Sequence, residues 1–456
     1  MKRRAFLRAS SVLAAGGVFA ARGAQAAPLS SRGVLLPMGG GSGEEDPRPS
    51  TTRQPRDSAR FFQNDALNFV FLITLGGAYY QVADVGTCLA IADQIPPEGD
   101  FGSAYRALVA AGERCAAEAD AALAAGRRVS AREAYWEAAN YLFSATYCAD
   151  PMGAPEQFAP TWHRQQALWE QGGALLDPPV ERVRIPYEGT TLPGYFFRAT
   201  TTDGSRPLLI FNNGSDSALT AAWVLGIAAA LARGYHCLTF YGPGQGLALL
   251  DQGLYFRPDW ERVITPVVDY ALTRPEVDPR RIALLGVSQA GYWVPRAVAF
   301  EPRLAAAVAD PGVVDVSASW FAYLPPPMRE LLAAGQKAEF DRYMAEGLQE
   351  DPVAAGTLRF RMRPYGVSSY YDAYKLVEQY RLGDDVLQRI RCPMLVTDPD
   401  GEQFWPGQSQ QLYDALPGPK ELVRFTAAEG ADLHCEPKTP GLRARRLFDW
   451  LDGVLA

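Results

Sequence analysis

Five short, mostly apolar runs in the second half of the chain limit its fold more than any other feature. They occupy residues 208–211, 236–240, 282–285, 305–309 and 394–397, and helix-compatible stretches separate them. A strand with no polar face is buried on both sides. Alternation of such strands with helices predicts an α/β protein with a mostly parallel sheet and helices on both faces. Ahead of them, residues 180–186 and 192–197 read as two strands joined at the turn Glu188-Gly189. Residues 59–178 have another character. They are rich in Ala, with Ala134, Ala138, Tyr141, Leu142 and Ala145 at helical spacing. Ser130-Ala-Arg-Glu133 reads as a capping box, and Gly126 as the end of the preceding helix. The sheet looks complete without these helices, which predicts a separate helical domain not needed to bury the strands. Residues 311–392 show no strand and are too long for a plain loop. They predict a lid or an extra helical layer at about 313–390, rich in aromatics at Trp320, Phe321, Tyr323, Tyr365, Tyr370, Tyr371 and Tyr374.

The N-terminus reads as an address. A basic start (Lys2, Arg3, Arg4, Arg8), an apolar stretch to Ala21 and Ala24-Gln-Ala26 form an export signal over 1–26. Arg3-Arg4 before Phe6-Leu7 is like a twin-arginine signal, and an ordinary secretory signal is the alternative. A periplasmic or secreted enzyme is expected. Residues 27–58 form a flexible linker, and 179–456 the catalytic domain. Removal of the signal takes five positive charges from a net charge of −7, leaving about −12. Such a surface argues against nucleic acid or an anionic membrane as partner. Self-association is left open. The six cysteines make no C-x-x-C pair. Six buried thiols are expected, with Cys115–Cys148 the most plausible bridge if one forms.

The chemistry centres on Gly286-Val-Ser288-Gln-Ala-Gly291, set between a predicted strand and a helix-compatible stretch. That context suits a nucleophile elbow, although Ala290 stands where G-x-S-x-G has its second glycine. A serine nucleophile needs a base of near-neutral pKa, and the chain has three histidines. His236 lies in an apolar strand and reads as core, and His163 falls in the helical segment. His434 is the one after Ser288, as the order Ser, acid, His requires. For the acid, Asp398, Asp400 and Glu402 compete after the run 394–397. Glu402 is favoured, then Asp400, with Asp310 an outsider. The oxyanion donors are expected to be the backbone N–H groups of Gln289 and of Ser215 in Asn213-Gly-Ser.

Tyr241-Gly-Pro-Gly-Gln-Gly246, Phe256-Arg-Pro-Asp-Trp260, Val277-Asp-Pro-Arg-Arg-Ile-Ala283 and Gly291-Tyr-Trp-Val-Pro-Arg-Ala297 resemble the α/β-hydrolase family that includes 2,6-dihydroxypseudooxynicotine hydrolase and fungal polyketide-shortening hydrolases. Residues 124–133 and 138–141 resemble the helical cap of that family. The likeness spans about residues 60–456 and implies an N-terminal cap on an α/β-hydrolase core. Tyr241 and Leu247 replace acids of the family's D-G-P-G-Q-G-E, which puts in doubt any substrate contact those acids make. The Gly-Pro-Gly-Gln-Gly segment lacks the marks of a phosphate loop and reads as a turn. The expected function is hydrolysis of a small, partly apolar ester, amide or C–C bond next to a ketone, with no cofactor and no metal. The alternatives are a non-catalytic binding or regulatory protein on the same fold, and an exported aminopeptidase-like enzyme.

Overall fold

The computed structural model describes residues 60–200, 204–216 and 218–456. The signal and linker expected over 1–58 lie outside them. Eight strands form one sheet in the order β1-β2-β4-β3-β5-β6-β7-β8. They are β1 Glu181–Tyr187, β2 Thr190–Phe197, β3 Arg206–Asn212, β4 His236–Phe240, β5 Val277–Val287, β6 Ala306–Asp310, β7 Met394–Pro399 and β8 Lys420–Phe425. β2 runs antiparallel to β1 and β4, and the other pairings are parallel. The β1–β2 hairpin closes on Glu188 and Gly189, both at positive φ (35° and 82°), the twist that a two-residue hairpin favours.

Among the described residues five α-helices precede the sheet: α1 Asp65–Gly76, α2 Val85–Ala92, α3 Phe101–Ala124, α4 Arg128–Ala149 and α5 Phe158–Gly173. Gly126 ends α3 as expected, at φ 73°, with the Arg127 N–H reaching back to Ala122 O at 2.9 Å. The capping box is not formed. α4 starts at Arg128, so Ser130 already sits in its first turn, and the N-cap residue Arg127 makes no side-chain cap.

The two faces of the sheet are buried differently. Phe196, Leu208, Ile210, Leu284 and Val396 point to one side, where helices Glu261–Leu272 and Ala290–Val298 cover them. Tyr195, Phe197, Leu209, Phe211 and Leu285 point to the other and share one continuous core with Leu108, Trp136, Leu142 and Trp169 of the N-terminal helices. This corrects the expectation that the helices are not needed to bury the strands. The helices form the cover of one sheet face, and a chain beginning at 180 would expose it. Tyr241 belongs to the same junction. It is fully buried, its hydroxyl donates to Gln166 Oε1 at 2.5 Å, and the Gln166 amide donates to the Tyr195 hydroxyl at 2.8 Å.

The insertion after β6 is helical, with Pro326–Ala333, Lys337–Leu348, Pro352–Met362 and Tyr370–Val377 packed around a small core of Met328, Leu332, Phe340, Met344 and Tyr374. No described cysteine is paired, so Cys115 and Cys148 form no bridge, and Cys392 is only partly buried where six buried thiols were expected. No described helix is long and apolar enough to cross a membrane.

Candidate active site

The carboxyl ends of β3, β5, β7 and β8 meet at one edge of the sheet, where open α/β sheets bind their ligands. Ser288 directly follows β5 and sits at φ 58°, a left-handed conformation that is unfavourable for a residue with a Cβ. Its N–H donates to Asp310 O at 2.7 Å, and its carbonyl accepts the Gly291 N–H at 2.8 Å. These two bonds hold the strained turn. Ala290 is tolerated because of its neighbour across the turn: a Cβ on Gly286 would lie 2.9 Å from the Ala290 methyl. The missing side chain at Gly286 makes that room.

His434 and Glu402 are brought together. His434 Nδ1 lies 2.8 Å from Glu402 Oε2, with both side chains buried. The other carboxylate oxygen, Oε1, accepts the N–H groups of Phe404 at 2.9 Å and Trp405 at 3.1 Å. The Gln403 side chain accepts the His434 N–H at 2.9 Å. Phe404, Trp405 and Phe69 surround the imidazole at centroid distances of 4.6, 5.7 and 6.5 Å. Its Nε2 is buried and has no hydrogen-bond partner among the described residues. Ser288 and His434 line the same cavity but are not hydrogen-bonded to each other. Hydrogen bonds of this kind often tighten only when substrate binds.

The competing acids are engaged elsewhere. Asp400 accepts the Ala427 N–H at 3.3 Å. Asp398 lies 3.6 Å from Arg424, with burial raising its pKa. Asp310 is bonded to Arg443. Of the other histidines, His163 is exposed and 3.3 Å from Asp251. His236 is buried, accepts the Ala199 N–H at 3.1 Å, and is held neutral by its burial.

The loop after β3 passes so close to Ser288 that a Cβ on Gly214 would be 2.7 Å from Ser288 Cβ. Ser215 and Gln289 both line the cavity. The reason for the Gly-Pro-Gly-Gln turn becomes visible here. Gln245 donates to Asn213 O at 2.8 Å and Gly214 O at 2.7 Å, and accepts the Gly242 N–H at 2.9 Å. Trp260, stacked on Trp293 at 4.1 Å, donates to Asn212 Oδ1 at 2.7 Å. Gln245 and Trp260 thus brace the loop beside Ser288. Sequence reading missed this role, though both residues stood inside the quoted motifs.

The cavity, of about 180 Å³, lies between sheet edge, N-terminal helices and insertion. Phe69, Phe143 and Tyr147 come from α1 and α4, and Trp320, Phe360 and Tyr365 from the insertion. Of the aromatics expected to close over Ser288, Trp320 and Tyr365 do line the cavity, whereas Tyr374 fills the core of the insertion. Phe360 and the pair Arg361–Asp216, at 2.7 Å, were not anticipated. Among the described residues no group of three or more His, Cys, Asp or Glu could hold a metal ion.

No family model matches the chain. Individual relatives do. It is 31% identical over 413 residues to the hydrolase LUC6 of Fusarium sp, covering 86% of this chain and 97% of that one. It is likewise 31% identical over 419 residues to the alpha/beta hydrolase psoB of Aspergillus fumigatus, with 86% and 94% covered. The chain belongs to the α/β-hydrolase family. The solved 2,6-dihydroxy-pseudo-oxynicotine hydrolase superposes on this α/β hydrolase with a TM-score of 0.66 at 22% identity, covering 84% of this chain and 95% of that one. That likeness is one of fold, and it includes the N-terminal helices. The chain is a hydrolase, and an enzyme of the α/β-hydrolase type.

Proposed function

We propose that this enzyme is a serine hydrolase in which Ser288 is the nucleophile, His434 the general base and Glu402 the acid that orients it. One observation carries the reading: a buried imidazole is held at Nδ1 by a carboxylate, its Nε2 has no partner among the described residues, and it lines the same cavity as Ser288. Ser288 Oγ attacks the substrate carbonyl as His434 Nε2 takes its proton. Glu402 stabilises the imidazolium and fixes the ring. The oxyanion is received by the backbone N–H groups of Gln289 and Ser215. Collapse of the intermediate expels the leaving group, which takes the proton back from His434. Water, activated by the same base, then releases the acyl group from Ser288.

The substrate is a small, partly apolar carbonyl compound, an ester, an amide or a ketone cleaved at its adjacent C–C bond. The aromatic walls supply apolar area and keep bulk water from the acyl intermediate. Phe360→Ala and Trp320→Ala are expected to change substrate preference, with the melting temperature measured alongside kinetics because both rings also pack against neighbouring aromatics. Unchanged preference in both would reduce the walls to packing.

The mechanism is tested with a fluorophosphonate probe on purified protein. Wild type is expected to be labelled at Ser288. Ser288→Ala is expected to escape labelling and to turn over about 10³-fold or more slowly. Near-normal turnover in that variant would remove the proposal.

A further inference from the structure

Behind the His434 loop lies a charged cluster for which the proposed chemistry has no use. Arg443, on the C-terminal helix Pro440–Val454, is 1% exposed, and Asp310 and Glu436 are 0% exposed. Arg443 Nε donates to Asp310 Oδ2 at 2.5 Å, and Nη2 pairs with the same oxygen. Glu436 Oε2 lies 3.4 Å from Arg443 Nε. Arg443 Nη1 donates to Leu225 O, and Thr397 Oγ1 donates to Asp310 Oδ1 at 2.7 Å. Two buried carboxylates therefore share one guanidinium. If both were ionised, a net negative charge would sit in the core, which is strongly unfavourable. Glu436 is the one that gives way: neither of its oxygens has a hydrogen-bond partner among the described residues. Burial, with Asp310 adding to it and Arg443 opposing, pushes its carboxyl well above the usual carboxylate range. The other groups facing it are Glu402 and the Cys435 thiol, which burial keeps neutral.

The cluster touches both halves of the site. The Asp310 carbonyl accepts the Ser288 N–H at 2.7 Å and the Cys435 S–H at 3.4 Å. Cys435 and Glu436, directly after His434, both have positive φ (57° and 47°), a conformation that must be held by its surroundings.

We propose that Asp310, Arg443 and Glu436 are positioning residues that lock the nucleophile elbow and the His434 loop into one register. The inference rests on the serine-hydrolase reading. The cluster carries no net charge, so it fixes the loop without adding a field at His434. It acts on the alignment of Ser288 with His434, and a small misalignment there costs rate with little effect on substrate binding.

Full-length Glu436→Gln, Asp310→Asn and Thr397→Val are compared with wild type in kcat, KM, the pH dependence of kcat from 5 to 8, and melting temperature. Glu436→Gln copies the protonated acid, so its kcat is expected within about threefold of wild type with an unchanged pH profile. Asp310→Asn breaks the charge balance beside the elbow. It should lower kcat about 10- to 100-fold, hold KM within about threefold, and shift the pH profile. Thr397→Val leaves every charge in place and loosens only Asp310. It decides the matter if Asp310→Asn does not fold, with kcat expected to fall several-fold at constant KM. A loss of 100-fold or more in Glu436→Gln would show that Glu436 works as an anion and overturn the proposal. So would Asp310→Asn and Thr397→Val variants that melt earlier but keep wild-type kcat and pH profile. Fluorophosphonate labelling of wild type separates the two readings: absence of label at Ser288 sinks both, whereas normal labelling with either overturning result sinks only this one.

Discussion

For the proposed pair Ser288 and His434, identity and place in the chain order are what the sequence offers. The chain has three histidines, and two of them, His163 and His236, precede Ser288, so His434 follows by topology. The groups that brace the proposed pair are less legible. Gln245 braces Gly214 from 31 positions away, and Arg443 reaches Asp310 across 133. Contacts at that separation leave no local periodicity to read. The acid is an intermediate case. Asp398, Asp400 and Glu402 lie within five residues, and only the turn after β7 decides which of them faces the imidazole. The geometry predicts a clear ranking. Glu402→Gln should lower kcat about 10²- to 10⁴-fold, because an amide cannot support the imidazolium as the carboxylate does. Asp400→Asn, which loses only a weak bond to the Ala427 N–H, should stay within about threefold. Kinetics on the two folded variants check this, and the reverse order would move the assignment to Asp400.

Among elements, the central strands were readable because both of their faces are buried. The run 236–240 is β4 in full, and 394–397 is the apolar part of β7. Their ends were not, since β5 begins at Val277 with Asp278, Pro279 and Arg280, whose polarity hides the strand. The start of α4 misled for a different reason. Gly126 turns the chain so tightly that the helix resumes at Arg128, ahead of the Ser-x-x-Glu signal at Ser130. The same helix carries Glu137 inward, and burial, with Asp84, Glu118 and Glu133 nearby, raises its pKa from 4.5 to about 7. Between these values the unfolded chain has released the proton while the folded chain still binds it. Stability at this group therefore falls as pH rises from about 4.5 to about 7. Glu137→Gln should raise the melting temperature by a few degrees at pH 8 and leave it unchanged near pH 4. Calorimetry at both pH values checks the sign, and a gap independent of pH would assign the effect to packing instead.

For the molecule as a whole, the helical cover and the insertion are two parts of one enclosure, joined over the cavity. The sequence showed both segments as helical but could not show that they meet, because the residues that join them, one ion pair and a few aromatics, are about 200 positions apart. Asp150, at the end of α4, is fully buried, and its Oδ2 accepts from Arg363 Nη2 at 2.6 Å. The guanidinium also lies over the Phe158 ring at 4.0 Å, and Phe360 packs against Phe158 and Tyr147 at 5.7 and 5.6 Å. Gly356 makes the approach possible, since a Cβ there would stand 2.2 Å from Asp150 O. The pair fixes where the insertion sits, so its energetics can be separated from its geometry. Arg363→Met leaves the buried carboxylate only Arg359, 3.9 Å from its Oδ1, and should cost up to about 3–5 kcal/mol, the usual penalty for removing one partner of a buried pair. Asp150→Asn combined with Arg363→Met removes both charges and should recover most of that loss, because the desolvation cost goes with the attraction. Urea melts of the two proteins measure the difference, and substrate KM should rise in the single variant as the insertion loosens over the cavity. A single variant as stable as wild type would mean that the surrounding aromatic contacts, not the ion pair, hold the enclosure shut.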